Sequence, residues 1–391
     1  MKKKKLIRVT TADISLNSLI KGQLRFLNQY YDVVAMSNDT GKLKAVGERE
    51  GVRVIEVPMH REISLKSDIL CLWKLYGIFK KEKPDIIHAN TPKGSLLAMV
   101  AGWLAGIKHR LYTVTGLRYQ GASGLLRIIL MSMERLSCFF ATKVIPEGNG
   151  VKEALRHDHI TDKSLKVILH GNINGIDVEY FDPSIYTVDQ RTGKYTGSRD
   201  QIRQDLGFRD KDFIFIFIGR IVKDKGMNEL ATCLRRLAPL YPHVKLLLVG
   251  SFESKLDPLK EGNEAFYQSF PKVKYIGCQS DVRPFLLASD ALVFPSYREG
   301  FPNVVLQAGA MGLPSIVTNI NGCNEIIVDG CNGKIIPSKD ERALHEMMAY
   351  FIENKNEVKK MADNARSMII QRYEQKTVWK AILDMYQHLD K

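Results

Sequence analysis

Phe213-Ile-Phe-Ile-Phe-Ile-Gly219-Arg220-Ile-Val-Lys-Asp-Lys225-Gly226-Met-Asn-Glu-Leu230 runs from six uninterrupted apolar residues, through a short charged loop, into helix-period sequence. A strand with no polar residue on either side belongs in the middle of a parallel sheet covered on both faces. Gly219 allows backbone to approach a ligand closely. Arg220 has the planar fork that grips a diphosphate with two parallel hydrogen bonds, and Lys225 adds a mobile point charge. Without a ligand the same residues make an ordinary strand-to-helix turn with two solvated cations. This stretch alone leaves both readings open.

The arrangement recurs downstream in Ala291-Leu-Val-Phe-Pro-Ser-Tyr-Arg-Glu299-Gly300-Phe301-Pro-Asn303-Val304-Val-Leu-Gln307. A buried strand again ends in a turn, and a helix follows. Glu299 is placed to accept hydrogen bonds from sugar hydroxyls. The N–H groups around Asn303 and Val304 open the helix, and such an end favours phosphate. Gln307 lies two turns further on, by the 3.6-residue period, within reach of a ribose hydroxyl. The bland alternative for Glu299 is a charge that merely complements the helix dipole.

Outward from these two stretches, apolar β-branched runs alternate with helix-period segments. The first half predicts strands at Leu6–Thr10, Val33–Met36, Val52–Val57, Ile86–Ala89, Arg110–Val114 and Lys143–Ile145, with helices such as Ser18–Gln29, Lys66–Lys81, Lys93–Ala105 and Gly124–Thr142. The second half predicts strands at Phe213–Ile218, Lys245–Val249, Val273–Ile276, Ala291–Phe294 and Ser315–Val317, then helices only from Asp340. Such alternation is the signature of doubly wound α/β sheets. The expected organisation is a first Rossmann-like domain over residues 1–182, a polar linker over 183–200 and a second domain over 201–373. A terminal helix over 374–391 is expected to pack back on the first domain. Two such domains would face each other across a cleft at the carboxyl ends of their strands.

A chain of 391 residues with 45% hydrophobic and 26% charged residues is long enough for two cores. Its six cysteines include no close pair, which argues against a zinc site and for a reducing compartment. The opening Met-Lys-Lys-Lys-Lys resembles the start of a signal peptide, but Arg8 and Asp13 interrupt the apolar region that should follow. No apolar run long enough to span a membrane is present.

The net charge of +14 is uneven. Residues 1–150 hold 24 Lys and Arg against 12 Asp and Glu, while the remainder holds 33 against 31. A basic first half fits a polyanionic partner such as anionic head groups or a lipid pyrophosphate. It lacks the aromatic-interleaved basic motif of a nucleic-acid binder, so no nucleic-acid partner is expected. No Gly-x-Gly-x-x-Gly follows the first strand, which counts against a dinucleotide oxidoreductase.

On these motifs the chain resembles glycosyltransferase family 4, the retaining GT-B enzymes, and in particular bacterial surface-polysaccharide enzymes. The resemblance implies that Gly219, Arg220, Lys225 and Gly226 hold a donor diphosphate and that Glu299, first of a Glu-x7-Glu pair, contacts the donor sugar. It places Gly300, Phe301, Asn303 and Val304 around the nucleotide. The pair's second Glu, a ribose ligand, is replaced here by Gln307. In the first domain the resemblance marks Asn17, His88, Lys93, Thr115 and Arg118 for the acceptor side. Thr115 stands where relatives often have His, and Asp13 to Ser18 replaces the usual Gly-Gly turn. His88 has the alternative reading of a satisfied strand-end histidine.

The function so implied is retaining, metal-independent transfer of a sugar from a nucleotide diphosphate donor, a UDP-sugar first among candidates, to a lipid-pyrophosphate-linked acceptor. The enzyme would sit in the cytoplasm, attached peripherally to the inner face of the cell membrane, and need no cofactor. No Asp-x-Asp cluster stands where a metal-dependent transferase would place one. The alternatives are a nucleotide-sugar epimerase of the same fold and a noncatalytic sugar-nucleotide-binding relative.

Overall fold

The computed structural model describes residues 3–60, 64–185, 198–255 and 257–390. Residues 186–197 of the expected linker, Met1 and Lys2 at the basic start and Lys391 of the terminal helix lie outside the described residues. The described residues of Met1–Gly175 with Gln375–Lys391 form one compact unit, and those of Ile176–Glu374 form a second.

The first unit alternates strands β1 (Lys5–Ala12), β2 (Asp32–Asn38), β3 (Arg53–Glu56), β4 (Ile86–Ala89), β5 (His109–Val114) and β6 (Lys143–Pro146) with helices. The helices are α1 (Asp13–Ser18) and α2 (Gln23–Asn28) after β1, α3 (Leu43–Glu50), α4 (Leu65–Glu82), α5 (Pro92–Leu104), α6 (Gly124–Phe140) and α7 (Asn149–His157). The strands are parallel in the order β3-β2-β1-β4-β5-β6. Alternation along β1 sends Ile7 and Val9 to the layer of α4, α5 and α6, and Leu6 to the opposite layer.

The second unit begins with α8 (Arg199–Asp205) and then repeats the plan. Its strands are β7 (Phe213–Ile218), β8 (Val244–Val249), β9 (Val273–Tyr275), β10 (Ala291–Phe294), β11 (Ser315–Thr318) and β12 (Gly333–Ile336). Its helices are α9 (Met227–Leu240), α10 (Asn263–Ser269), α11 (Arg283–Ala288), α12 (Asn303–Ala310), α13 (Cys323–Ile326), α14 (Glu341–Glu353) and α15 (Lys355–Tyr373). The strand order β12-β11-β10-β7-β8-β9 is the first sheet's order read from the other edge. Phe213 to Phe217 are buried on both faces of this sheet, which accounts for the unbroken apolar run.

In both sheets the first and fourth strands are neighbours, β1 with β4 and β7 with β10. The order in which strands are added reverses direction there. Ligands of open α/β sheets bind in the crevice this creates.

Three expectations are corrected. The helix expected over Ser18–Gln29 is two short helices, α1 and α2, broken before Gly22. The Asp13–Ser18 stretch, expected as a loop, is α1 itself. Strand β12 was not anticipated.

The last helix, α16 (Gln375–Gln387), lies in the first unit. Val378, Ile382 and Tyr386 are buried there, and the Trp379 Nε1 donates to Asn174 Oδ1 at 2.8 Å. The Tyr386 hydroxyl accepts from the buried Arg8 at 3.1 Å and lies 2.5 Å from His88 Nδ1.

Candidate active site

The residues singled out in the second unit gather where β7 and β10 end. Gly219 follows β7 and its N–H donates to the Val249 carbonyl at 3.0 Å. Arg220 is 43% exposed in its side chain, with Nη1 3.1 Å from Glu253 Oε2. The chain then makes a single 3-10 turn, Lys223–Lys225, and enters α9 through Gly226. Gly226 sits at φ +72°, and a Cβ there would fall 2.1 Å from the Pro295 carbonyl oxygen. The loop after β7 therefore lies directly against the loop after β10, and only glycine fits the contact.

That contact brings Lys225 and Glu299 together, 74 positions apart in sequence. Their side chains form an ion pair, 13% and 17% exposed. The Ser296 hydroxyl donates to the same Glu299 oxygen at 2.9 Å. Neighbouring bonds lace the two loops: the Tyr297 N–H donates to the Asp224 carbonyl at 2.8 Å, and Arg298 reaches the Asp224 carboxylate at 2.8 Å. The Tyr297 hydroxyl donates to Glu229 at 2.6 Å, and burial with this bond to Glu229 pushes its pKa up. Glu299 is thus anchored by a cation and a hydroxyl, which is more than a helix-end charge needs.

After Glu299 the chain passes Gly300 and turns into α12 at Asn303, with Pro302 at the N-cap and no side chain capping the end. Asn303 and Gln307 lie one turn apart on a common face and are half-buried, as is Val304. The Gln307 amide makes no hydrogen bond to the described residues. Phe301 is different: its ring is 7% exposed and packs edge-on to Tyr373 at 5.6 Å. Of Phe301, the backbone rather than the ring is open to a ligand.

Gly322, in the loop after β11, went unnoticed in the sequence. At φ +74°, its Cβ would meet the Gly300 carbonyl oxygen at 2.7 Å. The loop carrying Glu299 is held from one side by Gly226 and from the other by Gly322. Ser296 and Asp224 were likewise missed. Their signal was available only as polar residues inside the two quoted stretches.

The first-unit residues do not form one constellation. His88 is 2% exposed, and its second ring nitrogen lies 2.7 Å from Thr113 Oγ1. Burial and the nearby Arg8 hold its pKa well below the usual histidine value. It is a core histidine with both nitrogens engaged, which corrects its acceptor-side reading. Asn17 is bound by Arg49 of α3. The same α1 carries the buried Asp13. Burial pushes this carboxyl up, but hydrogen bonds from Thr40 and the Lys42 N–H outweigh it and hold it at about 2.

Thr115 donates to the Asn90 carbonyl at 2.8 Å. Lys93 and the exposed Arg118 do come together, along one depression with Tyr119 and Glu134 between the start of α5 and α6. Lys93 is 6% exposed and ion-paired with Asp68 at 2.5 Å. Burial pushes the Glu134 carboxyl up to about 7, although a hydrogen bond from Tyr112 works against the shift.

Chemically, the second unit presents a partly exposed guanidinium, an ammonium, a carboxylate and an uncapped helix start around one strand-end crevice. An ammonium pairs equally well with a diphosphate oxygen, and the carboxylate it leaves can take sugar hydroxyls. Residues 198–368 match the family model for glycosyl transferases group 1, and residues 17–147 match the glycosyl transferase 4-like model. The capsular polysaccharide biosynthesis glycosyltransferase CapM of Staphylococcus aureus is 31% identical over 392 aligned positions, 99% of this chain and 97% of the relative.

The chain is a group 1 glycosyltransferase.

The Escherichia coli UDP-Gal:alpha-D-GlcNAc-diphosphoundecaprenol alpha-1,3-galactosyltransferase is 26% identical, with 97% of each chain covered. Among solved structures, Anabaena HepE in complex with UDP-glucose superposes with a TM-score of 0.78 at 20% identity, covering 98% of this glycosyltransferase and 100% of HepE. At that identity the likeness speaks for the fold, and the fold is GT-B.

Arg220→Ala is expected to weaken binding of UDP by about 1.5–3 kcal/mol, the range for a charged hydrogen bond. Calorimetric titration of both proteins measures it. Equal affinities would show that Arg220 serves only its ion pairs with Glu253 and Asp224.

Proposed function

We propose that this glycosyltransferase moves a sugar from a UDP-sugar to a saccharide carried on a lipid diphosphate, in the synthesis of a surface polysaccharide. The observation that carries the donor half is the Lys225–Glu299 pair at the junction of the β7 and β10 loops. In this reading the donor diphosphate takes over Lys225 and Arg220, and Glu299 turns to the sugar hydroxyls. The start of α12 faces phosphate, and Gln307 bonds the ribose. Two preorganised cations stabilise the charge that grows on the departing UDP, so the reading requires no metal.

The stereochemical reading is retention. The acceptor hydroxyl attacks the anomeric carbon on the face from which UDP leaves. The C–O bond to the diphosphate breaks, and the hydroxyl proton passes to a diphosphate oxygen of UDP. No protein nucleophile enters.

The acceptor half rests on the E. coli relative, named for a diphosphoundecaprenol-linked sugar, and on the charge excess of the first 150 residues. In this reading the enzyme works at the cytoplasmic face of the membrane. The epimerase alternative is not favoured, since both family models and the named relatives are transferases.

Incubating the enzyme with a panel of UDP-sugars, in EDTA, beside a polyprenyl diphosphate sugar tests the reading. Transfer with retained anomeric configuration, read by proton NMR of the new linkage, is expected. Dependence on added divalent metal would remove metal independence, and an inverted linkage would remove the front-face mechanism.

A further inference from the structure

In α6, Leu130, Glu134, Ser137 and Cys138 turn inward to the sheet. Leu125, Leu126, Ile128, Ile129, Leu136 and Phe139 turn outward, between 41% and 72% exposed. Core burial therefore accounts for only half of this apolar helix. Helix α4 divides in the same way. Cys71, Leu75 and Phe79 face the sheet, while Leu65, Ile69, Leu70 and Trp73 are 55% to 77% exposed. Between them α5 exposes Trp103 and Leu104, and the Trp103 ring lies 5.1 Å from Phe140, itself 5.1 Å from Phe139. Twelve of the nineteen large apolar side chains exposed among the described residues sit on these three helices. A monomer has no use for that concentration of apolar surface in water.

The charge on the same helices is of one sign. Lys66, Lys74, Lys80, Lys81, Arg127 and Arg135 are exposed. The helices' own carboxylates all turn away: Asp68 pairs with Lys93 at 2.5 Å, Glu82 with Lys5 at 2.8 Å, and Glu134 is buried. Along α4 the exposed positions interleave Leu65, Ile69 and Trp73 with Lys66, Lys74 and Lys81, so apolar groups and cations share one stripe.

We infer that the outer surface of the α4–α5–α6 layer is a membrane-docking face, seated in the interface of a bilayer that contains anionic lipid. The apolar side chains enter the acyl boundary, and the long Lys and Arg stems lie along it with their charges at the phosphates. A second copy of the chain fits this face poorly. A twofold contact sets a patch against itself, and here that would oppose cations to cations. The inference deepens the lipid-acceptor reading and uses it only to explain why the enzyme needs a membrane. The face itself is defined by exposure and charge.

The test is cosedimentation of the full chain with phosphatidylcholine vesicles containing phosphatidylglycerol, against pure phosphatidylcholine, over a salt series. Binding to the anionic vesicles, released by salt, is expected. Of the three tryptophans, Trp73 and Trp103 lie on the face, so a blue shift of intrinsic fluorescence should accompany binding.

The double variant Trp73→Glu, Phe139→Glu is expected to lose about 100-fold in partitioning. Its thermal midpoint should be unchanged, because both side chains are exposed, and so should its turnover on a short-chain, water-soluble acceptor. Wild-type vesicle binding by the double variant would overturn the inference. So would a stable wild-type dimer that leaves vesicles alone. Vesicle binding by a protein that transfers sugar to no polyprenyl diphosphate acceptor upholds the face and removes the acceptor.

Discussion

Glu299→Gln is expected to lower kcat by about 100-fold while leaving UDP affinity unchanged or slightly improved, because the lost interaction is a charged hydrogen bond made at the reacting sugar. The direction of the second effect follows from the geometry. Lys225 is ion-paired with Glu299, and the Ser296 hydroxyl holds the carboxylate in place. The amide is nearly isosteric and still accepts from Ser296, so the loop should keep its shape. It no longer neutralises Lys225, whose ammonium is then more available to a diphosphate. Steady-state kinetics beside calorimetry with UDP separates the two. A variant with wild-type kcat would reduce Glu299 to a partner of Lys225 and of the helix dipole. A variant with both kcat and UDP affinity lost would mean that the pair holds the loop rather than the sugar.

Gly226→Ala is expected to be the most damaging single methyl in the second unit. Its Cβ would lie 2.1 Å from the Pro295 carbonyl, where the rigid neighbour is backbone and cannot rotate away. The left-handed φ of +72° adds roughly 1–2 kcal/mol for any residue with a Cβ. With the displacement of the loops included, a loss of about 3 kcal/mol in stability is expected, at the upper end of what single substitutions usually cost. UDP binding should weaken by more than about tenfold, since Lys225 precedes the shifted residue and α9 follows it. Differential scanning calorimetry and UDP titration check both. A Tm and a Kd equal to wild type would show that the two loops need not touch.

What could be read from the sequence divides along physical lines. Strands β7 and β10 were legible to the residue because both are buried on two faces, so their apolar runs are unbroken and end at Gly219 and Pro295. Strand β12 was not: Gly333, Lys334 and two isoleucines make too short a pattern, and its place is a sheet edge. The break between α1 and α2 precedes Gly22, where a Cβ would meet the Trp379 ring at 2.7 Å. No local window around Gly22 contains that tryptophan.

The same limit applies to the candidate site. Arg220, Lys225 and Glu299 stood out by residue type and position after a strand. Their mutual arrangement, a Lys225–Glu299 contact enforced by Gly226 against Pro295, depends on β7 and β10 being neighbours. His88 shows the converse. At a strand end the sequence leaves an acceptor-side and a satisfied-histidine reading open, and the hydroxyls of Thr113 and Tyr386, the latter 298 residues away, decide for the second.

The most direct test of the account is the mass of the product. The enzyme is incubated with a UDP-sugar and a short-chain polyprenyl diphosphate monosaccharide, and the lipid is analysed by mass spectrometry. A gain of one glycosyl unit on the lipid, with UDP released in equal amount and both abolished by combining Arg220→Ala with Glu299→Gln, is the predicted result. Release of free sugar and UDP with the lipid unchanged, across the whole donor panel, would contradict it.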